Sequence, residues 1–167
     1  YYKHLKLGVT TKQVDRLVGR EGLIEISTRE AVNIMLNGLV GSSGMEPTLS
    51  AIKVGVNVAL ANKESLVMAG GIINKAMESS GAKIFPVDSE HSAIWQCLVG
   101  ENFSDIRRII LTGSGGPFRS RDLNTFNDVS IKEALNHPNW DMGEKISIDS
   151  ATMMNKCLEV IEAYWLF

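Results

Sequence analysis

The run Val56-Asn57-Val58-Ala59-Leu60-Ala61 most constrains the fold, because it is apolar at nearly every position. A strand with one wet face alternates apolar and polar residues. A strand covered on both faces does not, and such strands belong to parallel sheets flanked by helices. Shorter runs of the same kind lie on either side, from Ile34 to Val40 and from Lys83 to Val87. Between them, Pro47 suits a helix first turn and Gly55 its C′ position. Glu64 to Ser80 carries helical periodicity and closes at Gly81. Strand and helix alternate, which argues for α/β units and a largely parallel sheet in the first half.

Further on, Ser89 to Leu98 reads as a helix and Ile106 to Thr112 as a buried strand. A sharp loop, Gly113-Ser114-Gly115-Gly116-Pro117, comes next. Ser130 to Glu133 has the spacing of a capping box. Ile146-Ser147-Ile148 reads as a strand, and a last helix is expected from Ala151. Residues 1–30 are weakly periodic and receive no assignment. A domain boundary is placed near Val87, where the chemistry-bearing residues begin.

Bulk properties exclude several classes. Of 167 residues, 44% are apolar and 22% charged, with formal net charge −2 and no basic block, which does not suit a nucleic-acid binder. No apolar run approaches the roughly 20 residues of a spanning helix, so no membrane partner is expected. Cys97 and Cys157 lie outside any CxxC pattern and read as free thiols in packing roles. The opening Tyr1-Tyr2-Lys3 and the closing Trp165-Leu166-Phe167 give the expectation of a fragment of a longer chain.

The candidate chemistry begins at Asp88 and Glu90, two apart at a strand end, where alternate side chains project to one side. Helix capping explains these two acids equally well. Glu159 shifts the balance. With Asn155 and Lys156 it shares one face of the last helix, while Met153, Met154, Leu158 and Ile161 form an opposite apolar stripe. Three carboxylates suit a hard divalent cation such as Mg²⁺ or Mn²⁺, and no His/Cys cluster favours zinc. Ser114 in its Gly-rich turn, Ser150 at the expected start of the last helix, His137, Asn155 and Lys156 together suit a phosphate pocket. Each also has an ordinary turn, cap or surface role. Asn62-Lys63-Glu64 follows the central strand, where α/β sheets bind ligands. Gly41-Ser42-Ser43-Gly44 is only a weak phosphate-turn signal.

The stretches LANKESLVMAG (60–70), PVDSEHSAIWQCL (86–98), LTGSGGPF (111–118) and HPNWDMGEKISIDSATMMNKCLEVIEA (137–163) resemble the 1-deoxy-D-xylulose 5-phosphate reductoisomerase family. The resemblance covers most of residues 55–167. It implies the second half of a Rossmann-like parallel-sheet NADPH domain over residues 1–87. Part of an α+β catalytic domain over 88–167 follows, with a mobile lid loop at about 114–144 that contains Trp140. It implies Asp88, Glu90 and Glu159 as ligands of Mg²⁺, Mn²⁺ or Co²⁺, and Lys63, Glu90 and Glu159 as catalytic. Ser114, His137, Ser150, Asn155 and Lys156 would hold the substrate phosphate, and Lys63 and Ser89 its oxygenated backbone. Asn62, Glu64 and Gly143 would lie beside NADPH.

The reaction implied is metal-dependent rearrangement of the sugar phosphate followed by NADPH-dependent reduction to 2-C-methyl-D-erythritol 4-phosphate, in non-mevalonate isoprenoid synthesis. A homodimer is implied, in bacterial cytoplasm or a plastid. The alternatives are a non-catalytic phosphometabolite-binding relative, or another sugar-phosphate oxidoreductase. The family's N-terminal Gly-rich NADPH turn and its C-terminal helical domain are not present in the sequence. These 167 residues alone are therefore expected to bind NADPH poorly and to be inactive.

Overall fold

The computed structural model describes residues 16–167. Three short strands, β1 (Ile34–Asn37), β2 (Asn57–Leu60) and β3 (Ile84–Pro86), form a parallel sheet in that order. Ile34 pairs with Asn57 and Val58 with Ile84 at the start of each ladder. Helix α2 (Met45–Lys53) connects β1 to β2, and α3 (Lys63–Ser80) connects β2 to β3. The apolar run at 56–61 is thus the central strand. Val58 and Leu60 are fully buried, and Asn57 and Ala59 on the other face are half-buried.

The core is built from Ala51, Ile52, Val56, Val58, Leu60, Leu66, Ala69, Ile73 and Ala82. It lies between the sheet and the α2–α3 pair. Helix α3 ends at Gly81, which adopts φ +75° and donates its N–H to Met77, as a left-handed helix stop requires. Beyond the sheet follow α4 (Ser89–Leu98), α5 (Ile131–Leu135), α6 (Glu144–Ala151) and α7 (Met154–Leu166). The Ser130–Glu133 capping box is fully formed at the start of α5.

One unassigned segment gains an element, and three expectations change. Residues 19–28 form a helix, α1, which the sequence did not signal. Its N-terminus lacks a side-chain cap, and Gly19 and Gly22 weaken its propensity; residues 1–15 lie outside the description. Residues 106–112 belong to no strand among the described residues, and Ile109 and Ile110 are exposed. The backbone there is extended at Ile106, but a strand needs a partner ladder, and none adjoins it. Ile146-Ser147-Ile148 is helical, inside α6. Three alternating residues are too few to fix a period of two, and Gly143 and Glu144 make a compatible helix start. Cys97 and Cys157 are free as expected, but both are exposed among the described residues.

Helix α7 packs on α3, and the closest approach is at Gly70. Trp165 lies over Gly70 so closely that an added Cβ would fall inside its indole ring. At Gly71 the same Cβ would meet Trp165 at 3.4 Å, an ordinary contact. Gly70→Ala is therefore expected to cost about 1–3 kcal/mol through overpacking. Gly71→Ala should be neutral or slightly stabilising, by up to about 1 kcal/mol from helix propensity. Urea unfolding of the two variants, made in a full-length family member carrying this segment, checks the contrast.

Candidate metal and phosphate site

Strand β3 ends at Pro86, and two residues later Asp88 caps α4 by accepting from the Ser89 N–H at 3.0 Å. Glu90 follows in the first turn of α4 and accepts from Ser89 Oγ at 2.6 Å. The capping and ligand readings of this segment are therefore compatible: one Asp88 oxygen caps, and the other faces inward. Helix α7 brings Glu159 to the same point. Carboxylate oxygens of Asp88, Glu90 and Glu159 lie within 4.8 Å of one another. Three hard oxygen donors so close together suit Mg²⁺ or Mn²⁺.

Two ammonium groups neutralise them. Lys63, at the start of α3, lies 2.5 Å from Asp88 Oδ2 and 3.2 Å from Glu159 Oε1, and it donates to Asn155 Oδ1 at 2.8 Å. Lys156 pairs with Glu90 at 3.0 Å and with Glu159, and donates to the Thr112 carbonyl at 2.5 Å. Burial disfavours charge on both lysines. Hydrogen bonds and the carboxylate charges outweigh it, so both pKa values are raised and both groups stay cationic. Glu90 shows the converse: burial works to raise its pKa, but Ser89 and Lys156 hold it below the usual value. Glu159 is buried, at 1% exposure, and its charge is tolerated because both lysines and Asn155 reach it.

A cleft of about 520 Å³ opens beside these groups. It is lined by Lys63, Asp88, Ser89, Glu90, Ser114, His137, Ser150, Asn155, Lys156 and Glu159, with Trp140, Asp141 and Met142 along one wall. His137 Nδ1 accepts from the Asn139 and Trp140 N–H groups. Its proton is thus on Nε2, 3.0 Å from Ser114 Oγ, which accepts it and leaves the serine hydroxyl hydrogen free to point into the cleft. Gly116, at φ +69°, passes so near Ser150 that an added Cβ would meet the Ser150 carbonyl oxygen at 2.6 Å. That approach brings the Ser114 loop against α6.

Ser150 itself sits in the last turn of α6, not at a helix N-terminus. A break at Thr152–Met153, with Met153 at φ +60°, separates α6 from α7. No helix dipole therefore aims at an anion from Ser150, and its contribution is a hydroxyl on the wall. Asn62, Glu64 and Gly143 do not line the cleft. The Asn62 side chain is fully used: it accepts from Ser65 and donates to the Leu39 and Gly41 carbonyls, tethering the Gly41–Gly44 turn.

The apolar stripe of α7 turns largely outward, with Leu158 half-buried. Met153, Met154 and Ile161 are exposed, while Glu159 and Glu162 are buried. Sequence reading missed Glu162 and its neighbour His91. His91 Nε2 donates to the Glu159 carbonyl at 2.9 Å, and Nδ1 lies 3.3 Å from Glu162 Oε2. Both residues are fully buried. The signal was available: Asn155, Glu159 and Glu162 follow i, i+4, i+7 along a largely apolar helix, which allows a polar stripe turned inward.

The segment 84–167 matches the family model "1-deoxy-D-xylulose 5-phosphate reductoisomerase C-terminal domain", and 2–70 matches that of 1-deoxy-D-xylulose 5-phosphate reductoisomerase. The chain belongs to this family. It is 57% identical over 150 residues to the reductoisomerase of an Exiguobacterium species, covering 90% of this chain and 39% of the relative. The Chloroherpeton thalassium reductoisomerase is 54% identical over 156 residues, 93% and 40% of the two chains. Among solved structures, a DOX-P reductoisomerase in complex with NADPH, fosmidomycin and magnesium aligns with TM-score 0.83 at 49% identity, over 89% of this chain and 39% of that one. The Zymomonas mobilis reductoisomerase in complex with NADPH aligns with TM-score 0.79 at 47% identity, over 89% and 38%. The chain thus spans about 40% of the length of its reductoisomerase relatives.

Burial pushes the Glu162 carboxyl up to about 8; the charges of Asp88, Glu159 and Glu64 add to the shift and Lys63 opposes it. A carboxyl whose folded pKa lies above its unfolded value of 4.5 stabilises the fold fully below pH 4.5. That contribution is lost as pH rises to about 8. Glu162→Gln, with no proton to lose, should gain on the parent across this window by up to about 1.4 kcal/mol per pH unit, then level off. Urea unfolding in chelator from about pH 5 to about pH 9 checks it, and parallel pH curves would refute it.

Proposed function

We propose that this chain supplies the metal- and substrate-binding centre of a 1-deoxy-D-xylulose 5-phosphate reductoisomerase, which rearranges its substrate and reduces it with NADPH to 2-C-methyl-D-erythritol 4-phosphate. The convergence of Asp88, Glu90 and Glu159 beside a hydroxyl- and imidazole-lined cleft carries the reading. The structural relatives bound to magnesium, fosmidomycin and NADPH support it.

In this reading Asp88, Glu90 and Glu159 hold Mg²⁺, Mn²⁺ or Co²⁺. When bound, the cation supplies Lewis acidity toward a hydroxyketone, and NADPH supplies the hydride. With the carboxylates neutralised by a divalent cation, Lys63 and Lys156 are free to donate to substrate oxygens. Lys63, held cationic and close to Asp88 and Asn155, is placed to orient the reacting oxygens together with Ser89. Lys156, Asn155, Ser150, Ser114 and His137 grip the phosphate. That contact lies away from the reacting carbons and fixes the substrate's position, which is where such enzymes gain much of their rate. Trp140 and Met142 form a wall that excludes water as the 114–144 segment closes. Glu64, Asn62 and Gly143 stand beside the nicotinamide cofactor, Asn62 through its main chain because its side chain is engaged.

The boundary between cofactor and catalytic domains falls near Val87 in this proposal. The homodimer and a bacterial cytoplasmic setting belong to it too; the relatives named above are bacterial. Among the described residues, no helix is long and apolar enough to cross a membrane.

The test is made in a full-length family member carrying this segment. NADPH oxidation with the sugar phosphate should need a divalent cation, vanish in chelator and return with Mg²⁺ or Mn²⁺. Glu159→Gln should lower kcat/KM at least about 100-fold, because it removes a ligand and unbalances the buried lysines. Turnover that persists without metal would sink the proposal.

A further inference from the structure

Lys145 stands in the first turn of α6, and its ammonium lies 2.7 Å from Glu64 Oε1 and 2.6 Å from Asp149 Oδ2. Glu64 belongs to the first turn of α3, just past the carboxyl end of the central strand β2. Helix α6 packs on α5 and α7. Among the described residues, the Lys145–Glu64 pair is the one ion pair or side-chain hydrogen bond joining α6 to α3. What α6 carries gives the pair its reach. Trp140, Asp141 and Met142, just before α6, line one wall of the substrate cleft, and Ser150 near its end lines another part. Moving the start of α6 relative to α3 moves that wall relative to Lys63 and the carboxylates.

The pair is better founded than an ordinary surface bridge, which contributes little because two long side chains must be ordered in water. Here Asp149, one turn along the same helix, already holds Lys145 in place. The Glu64 and Asp149 side chains are only 19% and 18% exposed. Burial disfavours charge on Lys145, but hydrogen bonds to Asp149 and Glu64 outweigh it and keep the ammonium charged. Glu64 is held below its usual value by Lys145 despite its own burial.

We propose that Lys145 is a positioning residue that ties the cofactor turn at Asn62–Glu64 to the Trp140–Met142 wall through its pair with Glu64, so that NADPH and substrate bind cooperatively. The proposal rests on the reductoisomerase reading, because it takes Glu64 to lie beside NADPH. A cofactor that settles the Glu64 turn settles the start of α6, and a ligand that draws in the wall settles Glu64. Coupling of this kind is reciprocal, so each ligand tightens the other by the same factor.

The experiment measures fosmidomycin affinity in a full-length magnesium-loaded family member carrying this segment, with and without NADPH. The ratio of the two affinities is the coupling factor. Wild-type turnover of the sugar phosphate is measured alongside, and its absence would fail the functional reading rather than this proposal. Lys145→Gln should lower the coupling factor by about three- to fivefold, and Lys145→Arg should retain it. Asp149→Asn, which loosens Lys145 but leaves the Glu64 pair, should fall between them. A purely structural role would change the melting temperature and leave the ratio untouched. Should Lys145→Gln fail to fold, salt gives a second test without mutation. Raising ionic strength from about 0.05 M to about 0.5 M should lower the wild-type ratio as the pair is screened. An unchanged ratio in Lys145→Gln, or a wild-type ratio indifferent to salt, would overturn the proposal.

Discussion

The arrangement depends on one electrostatic constraint: Asp88, Glu90 and Glu159 are held within 4.8 Å of one another by two lysines. Like charges at that distance repel strongly where water is scarce, and Glu159 is almost wholly buried. The cluster persists because each lysine spans two acids from different elements. Lys63 joins Asp88 before α4 to Glu159 on α7, and Lys156 joins Glu90 on α4 to Glu159. Removing either lysine would strand buried carboxylate, so the cluster ties α3, α4 and α7 together as well as forming a site. The Gly70–Trp165 contact does the steric half of the same task, setting how closely α7 approaches α3.

The α/β core was legible because its signals are local or repeated. Residues 56–61 had to be an interior strand, and Gly81 had to stop a helix by taking φ +75°. The Ser130 capping box needed only two side chains three residues apart. Where the reading failed, the deciding contact was distant. Ile106 to Thr112 has a strand's composition, yet a strand exists only with a neighbour to bond, and neither composition nor period names the neighbour. Ile146 to Ile148 alternates over too short a stretch to outweigh the Gly143–Glu144 helix start. Ser150 was misplaced by the same error, since a strand at 146–148 left the next helix to begin near it.

For the site, residue types were legible and orientations were not. The spacing of Asp88 and Glu90 gave a shared direction, and helical spacing gave Lys156 and Glu159 one face. Which face of α7 points inward stayed open in the sequence, because burial usually follows apolarity while the polar stripe could equally face a site. Here the interior opposite α7 carries Lys63 and Asp88, so the polar stripe wins the inside, while Met153, Met154 and Ile161 remain outside. His91 escaped for the same reason. It is a fully buried polar group whose partners come from another helix, whereas Glu162 was open to reading from its i+7 spacing to Asn155.

That inversion bears on how the site is built. A helix that turns two carboxylates into the interior breaks a local rule, and proteins break such rules chiefly at functional sites. The compensation is visible in the linkages. His91 fixes the main chain of α7 at Glu159, and Asn155 donates to Glu159 while accepting from Lys63. Lys156 continues outward to the Thr112 carbonyl, at the entry to the Ser114 loop. The same ammonium therefore neutralises the carboxylates and anchors the loop that carries Ser114. In the reading proposed above, the metal ligands and the phosphate donors would share this one side chain.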